Sequence, residues 1–84
     1  MEIHSSALKR QYLAEDIEYA FANALVEVEL DPDADPPKLL FIGPGMSGDL
    51  LELIGRELED GEFLIHHCMK LRPQFFPLLK GYES

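Results

Sequence analysis

The hydrophobic period of this chain changes at residue 25, and that change constrains its fold class. Before it, Leu13, Ile17, Ala20, Phe21, Ala24 and Leu25 recur at spacings of three and four, which makes one apolar helical face. After it, Val26-Glu27-Val28-Glu29-Leu30 alternates with period two, as a half-buried strand does. The spacing predicts a helix over 14–24. Glu15, Asp16 and Glu18 fall in its opening turns, where acids complement the positive end of the helix dipole. A short helix or turn over 4–10 is expected ahead of it.

Residues 31–37 read Asp-Pro-Asp-Ala-Asp-Pro-Pro. Prolines lack donors and the acids repel one another, so this is a stiff acidic loop rather than sheet. Further strands are expected over 38–42, 50–58 and 63–69. A glycine-bearing loop fills 43–48, and Asp60-Gly61 supplies a hairpin signal. Arg72-Pro73 opens a short C-terminal helix, which Pro77 kinks or restarts. Short connections favour hairpins. The expected architecture is therefore α+β, one domain over 1–84. Its N-terminal helices cover one face of a four-stranded antiparallel sheet, and a short C-terminal helix closes the chain. In the fourth strand, regular alternation would put Phe63, Ile65, His67 and Met69 on one face and Leu64, His66 and Cys68 on the other.

A chain of 84 residues has a small core, since a domain of this size buries only about 60% of its unfolded surface. Its apolar fraction of 46% argues against a largely disordered chain. The single cysteine, Cys68, cannot form an internal disulfide. The adjacent His66, His67 and Cys68 cannot all reach one ion if they alternate, so no metal and no cofactor is expected. The 43–48 loop is a turn rather than a phosphate cradle: Pro44 removes an amide donor, and a strand follows instead of a helix. No apolar run approaches the roughly 18 residues of a membrane helix, and no signal peptide opens the chain. A cytoplasmic protein without a membrane partner is expected.

Charge is distributed unevenly. Residues 15–62 carry fourteen acids against Lys38 and Arg56, while residues 1–10 are net +1 and 70–84 net +2. The formal net charge of −9 disfavours non-specific nucleic-acid binding and favours a basic partner. If the fold joins the two ends, His4, Lys9, Arg10, His66, His67, Lys70 and Arg72 make a small titratable cationic patch. Such a patch suits a phosphodiester or an acidic partner.

Several stretches in sequence resemble the BrnT-like toxins of bacterial type II toxin–antitoxin systems, along nearly the whole chain. They are His4-Ser5-Ser6-Ala7-Leu8-Lys9-Arg10, Glu15-Asp16-Ile17-Glu18-Tyr19-Ala20, the acidic loop before Pro36-Pro37-Lys38-Leu39-Leu40, Ile42-Gly43 with Gly48, and Ile65-His66-His67-Cys68-Met69-Lys70-Leu71-Arg72. In the branch most similar, the fourth strand reads His-Ala-Met-Pro-Leu-Arg. His67, Met69, Leu71 and Arg72 match it, and Cys68 and Lys70 differ. The resemblance implies a RelE-like fold, metal-independent RNA cleavage and inhibition by a cognate antitoxin. Family toxins that cut RNA tend to be basic, and this chain departs from them in charge.

The chemistry implied needs a base for the 2′-hydroxyl, cations for the developing charge and an acid for the leaving oxygen. His67 matches the family's strand-four histidine and takes the acid/base role; Arg72 is placed to clamp phosphate. His4, Lys9, Arg10, His66 and Lys70 are the candidate RNA-binding residues. Each has a plainer reading as a half-buried strand residue, a solvated helix end or a surface ion pair. The alternative function is a non-catalytic protein-binding module of the same fold. The apolar Phe75-Phe76-Pro77-Leu78-Leu79 segment serves either as core or as an interface, to an antitoxin or to a second copy in a homodimer.

Overall fold

The structure is a computed structural model. It describes residues 1–9 and 11–82, the last two of these by backbone alone. Two 3-10 segments, one α-helix and five strands follow in the order β1 (Glu2–Ile3), the 3-10 turn Ser5–Leu8, α1 (Ala14–Ala22), β2 (Val26–Asp31), β3 (Lys38–Pro44), β4 (Leu50–Glu57), β5 (Phe63–Lys70) and the closing 3-10 helix Pro73–Tyr82. The α+β class and the β2–β5 antiparallel meander agree with the sequence pattern. The sheet itself corrects the expectation of four antiparallel strands. It has five, in the order β1-β5-β4-β3-β2, and is mixed because β1 lies parallel to β5.

Helix α1 ends at Ala22, two residues short of the spacing's limit. At its start, Asp16 does double duty. Its Oδ2 accepts from the Leu13 amide at 3.1 Å, capping the helix, and its Oδ1 accepts from the Met46 amide at 3.2 Å, tying the helix to the β3–β4 loop. Within that loop Gly45 donates to the Asp49 carbonyl at 2.7 Å and Gly48 to the Gly45 carbonyl at 3.0 Å. It is the turn that the sequence indicated. Gly43 allows a close approach of α1 to the sheet, because a Cβ there would overlap the Ala20 carbonyl.

The core has two parts, one on each face of the sheet. Ile17 and Ala20 of α1 pack with Phe41, Leu51, Leu53, Ile65 and Cys68 on the first face. Phe21, Phe41 and Phe63 meet there as an aromatic trio with centroids 5.0–5.6 Å apart. On the second face Leu71 and Leu79 pack on Val26, Leu40 and Ile42. The helical elements therefore cover both faces, not one. The closing segment winds as a 3-10 helix, with Phe75 donating to the Arg72 carbonyl at 3.0 Å. Pro77 has no amide and would clash with the carbonyl of residue 73 in an α-helix. No helix among the described residues is long and apolar enough to cross a membrane.

Candidate functional site

Glu52 sits in the middle of β4 between Leu51 and Leu53, which point into the α1-side core. Its own side chain points to the opposite face and is fully buried. A lone carboxylate there would cost several kcal/mol in lost hydration. Arg72 supplies the counter-charge: its Nε donates to Oε1 and Oε2 at 3.0 Å, its Nη2 to Oε2 at 2.7 Å and its backbone amide to Oε1 at 3.0 Å. His67 Nε2 lies 3.0 Å from Oε2. Burial pushes the Glu52 carboxyl upward in pKa. The side-chain and backbone bonds from Arg72, then the bond from His67, outweigh it and hold the group below the ordinary carboxylate value. The same contact raises the Arg72 guanidinium.

Two side chains of this cluster remain partly exposed. An ionised carboxylate only accepts, so His67 Nε2 carries the hydrogen toward Glu52; when the ring is neutral, Nδ1 is the nitrogen with the lone pair. Arg72 Nη1 donates to nothing among the described residues, and the guanidinium lies 5.4 Å from the Phe75 ring centroid. The His67 and Arg72 side chains are 24% and 40% exposed, against 0% for Glu52. A buried acid thus holds a partly exposed imidazole and a partly exposed guanidinium on one carboxylate.

A β-bulge brings His67 to this face. Ile54 pairs with His67 and Gly55 with Ile65, which leaves His66 as the extra residue. The alternation changes phase there. Cys68 joins Leu53 in the α1-side core, while His67 turns with Glu52 and Ile54 to the other face. Ile65 and His67 therefore do not share a face, contrary to regular alternation. Gly55 permits the tight approach at the bulge, since a Cβ on it would overlap the Leu64 carbonyl.

The other candidates divide. The N-terminus does meet β5: the His4 amide donates to the Ile65 carbonyl at 2.8 Å, and Ser6 Oγ to the His66 carbonyl at 2.6 Å. Burial lowers the His66 pKa, and the charges of Lys38, His67, Arg56 and His4 lower it further. Lys70 is exposed beside a cleft of about 200 Å³ with Gln11, Tyr12 and Met69. Lys9 is exposed, and Arg10 lies outside the described residues. Burial, then Asp16 and Glu52, push the Cys68 thiol up to about 11, so it is no nucleophile at neutral pH. Among the described residues, no three His, Cys, Asp or Glu side chains are grouped to hold a metal ion.

Sequence reasoning missed Glu52. The available signal was an acid inside the apolar run Leu50-Leu51-Glu52-Leu53-Ile54, on a strand covered on both faces. Such an acid needs a buried partner. Comparison with known proteins finds no matching protein family, no matching curated protein and no matching solved structure.

Proposed function

We propose that this chain is a BrnT-like toxin with a RelE-like fold, which cuts RNA without a metal and is silenced by a cognate antitoxin. The supporting observation is the surface pair His67–Arg72 held on buried Glu52. In this reading His67 Nδ1 removes the 2′-hydroxyl proton. The 2′-oxygen attacks the adjacent phosphorus, a 2′,3′-cyclic phosphate forms and the 5′-oxygen leaves with a proton returned by the imidazolium. Arg72 Nη1 stabilises the charge that gathers on the phosphoryl oxygens. Glu52 orients the imidazole and stabilises its protonated form.

The test is RNA cleavage by purified protein in excess EDTA, together with growth after induction at equal protein level. His67→Gln and Arg72→Lys are the variants; lysine keeps a counter-charge for Glu52 but has no second donor edge. Folded variants that no longer cut RNA or arrest growth support the site. Cleavage unchanged in both refutes it.

The second reading, a non-catalytic module that binds a basic protein, draws on the charge of −9 and on exposed Leu13, Met46 and Phe76. It requires a stable complex with a basic partner and no RNA turnover by the wild type.

A further inference from the structure

Lys38 and Arg56 are the two cations of the acidic middle of the chain, and the sheet sets them side by side. Leu39 pairs with Gly55, so Lys38, one residue before, stands across from Arg56, one residue after. Both fall on the same face as Leu40, Ile54 and Glu52 by alternation along β3 and β4. Like charges directly opposite on a sheet repel. In a chain with 16 acids, each of these cations had many possible partners. Asp31 is the register partner of Lys38 on β2, and Asp35, Glu57 and Glu59 share a cleft with Arg56. Yet neither Lys38 nor Arg56 forms an ion pair among the described residues.

The third member comes from the bulge. Arg56 pairs with Leu64 and Ile54 with His67, so the extra residue His66 lies between these two rows. Burial, then the charges of Lys38, His67, Arg56 and His4, lower its pKa. In a chain of net charge −9 the sheet thus brings three basic side chains to neighbouring positions. Along β4 the face carries Glu52, then Ile54 level with His67, then Arg56, in steps of two residues or roughly 7 Å. That step is of the order of one nucleotide of an extended strand.

We propose that Lys38, Arg56 and His66 form a phosphodiester-binding row, which seats the phosphate next to the scissile one when single-stranded RNA lies across the Glu52–His67–Arg72 site. The RNA orientation rests on the reading given under Proposed function; the row as a phosphate site does not. The row adds the electrostatic grip that the closing helix, with Lys80 as its one cation, cannot provide. It also gives His66 a role distinct from that of His67: a phosphate contact rather than a proton carrier.

The probe is a 2′-O-methylated RNA of about six nucleotides, which binds but cannot cyclise because its 2′-hydroxyl is blocked. Binding is followed by NMR at the His66 ring, and affinity is measured across a salt series for the wild type and for Lys38→Gln/Arg56→Gln. Both substitutions are at exposed positions. The expected results are a raised His66 pKa in the complex and a several-fold loss of affinity in the double variant. Its log–log salt slope should be shallower by about 1.4, two single-strand phosphate contacts at about 0.7 each. An unmoved His66 at saturation, the wild-type slope in the double variant, or no binding by the wild type overturns the row. Cleavage of unmodified RNA is assayed in parallel. Binding with the expected His66 shift but without cleavage keeps the row and removes the ribonuclease reading. Cleavage with wild-type binding by the double variant does the reverse.

Discussion

Arg72 and Glu52 are unequal partners, because only Glu52 is fully buried. Truncating Arg72 strands a carboxylate that keeps only His67 and one backbone amide. Arg72→Ala is therefore expected to cost about 3–5 kcal/mol at neutral pH in urea unfolding. Glu52→Gln releases a guanidinium that reaches water, and its cost is expected near 1–2 kcal/mol. A loss in Arg72→Ala no larger than in Glu52→Gln would contradict this asymmetry. The pH dependence has a fixed sign. The folded Glu52 carboxyl titrates below its unfolded value, near 4.3 for a free glutamate. Its stabilising contribution is complete above that pH and is lost as pH falls through the lowered folded value. The gap between wild type and Arg72→Ala should narrow over the same acid range. The double replacement Glu52→Leu/Arg72→Met removes charge and counter-charge together. It should fold with near wild-type stability, since hydrophobic replacements of buried ion pairs are often neutral. If the wild type cuts RNA as proposed, loss of cleavage in that folded protein would place the value of the ion pair in chemistry rather than in stability.

At the scale of elements, the local signals were read correctly and the non-local ones were not. Helix α1 and β2 follow from period, because Ile17 and Ala20 or Val26 and Val28 state their burial within a few residues, and β3–β5 follow from apolar runs set between turn signals. β1 has two residues, too few for a period, and exists through pairing with Leu64 and Ile65 some sixty positions away. The bulge also has no local mark. Its two adjacent histidines fit either phase of an alternation, and only the pairing to Ile54 and Gly55 selects one. Of the site, His67 and Arg72 stood out by chemistry and by resemblance. Glu52 did not, because its partner lies twenty residues on and an acid in a strand ordinarily reads as solvent-facing. The bulge has a direct consequence for deletion. Removing one residue from a regular strand turns every later side chain to the wrong face. Deleting His66 instead leaves Ile65 and His67 on opposite faces, as they already are, and restores a regular ladder. The His66 deletion should retain dispersed amide resonances and a cooperative unfolding transition, while deletion of Leu53 from unbulged β4 should abolish both. Equal collapse of the two would show that the bulge is required for the fold itself.

At the scale of the whole molecule, the relevant lengths are the radius of gyration, 12.2 Å, and the distance over which salt lets charges act. Near 0.01 M salt the screening length is about 30 Å, so every charge feels every other; near 0.15 M it is about 8 Å, less than the radius. With 16 acids against 7 Lys and Arg, the long-range sum is repulsive. The described ion pairs engage only Glu52 and Glu62 of those acids, Glu62 with the Met1 amino group. Salt therefore removes more repulsion than attraction. The Glu52 pairs respond least, because their acid is shielded from solvent. Raising NaCl from about 0.01 M to about 0.15 M is expected to raise Tm by a few degrees, since about 1 kcal/mol moves Tm by roughly 4–8 °C in a domain of this size. KCl should do the same, which identifies screening rather than a bound ion as the cause. Adding the Lys38→Gln/Arg56→Gln pair should steepen the rise, because it deepens the net negative charge and removes two neighbouring cations of the sheet. A fall in Tm with salt would instead mean that local attractions, such as those of Lys38 and Arg56 with the acids around them, dominate the energetics. The row would then be a structural bracket for the acidic loop rather than a surface held open for phosphate.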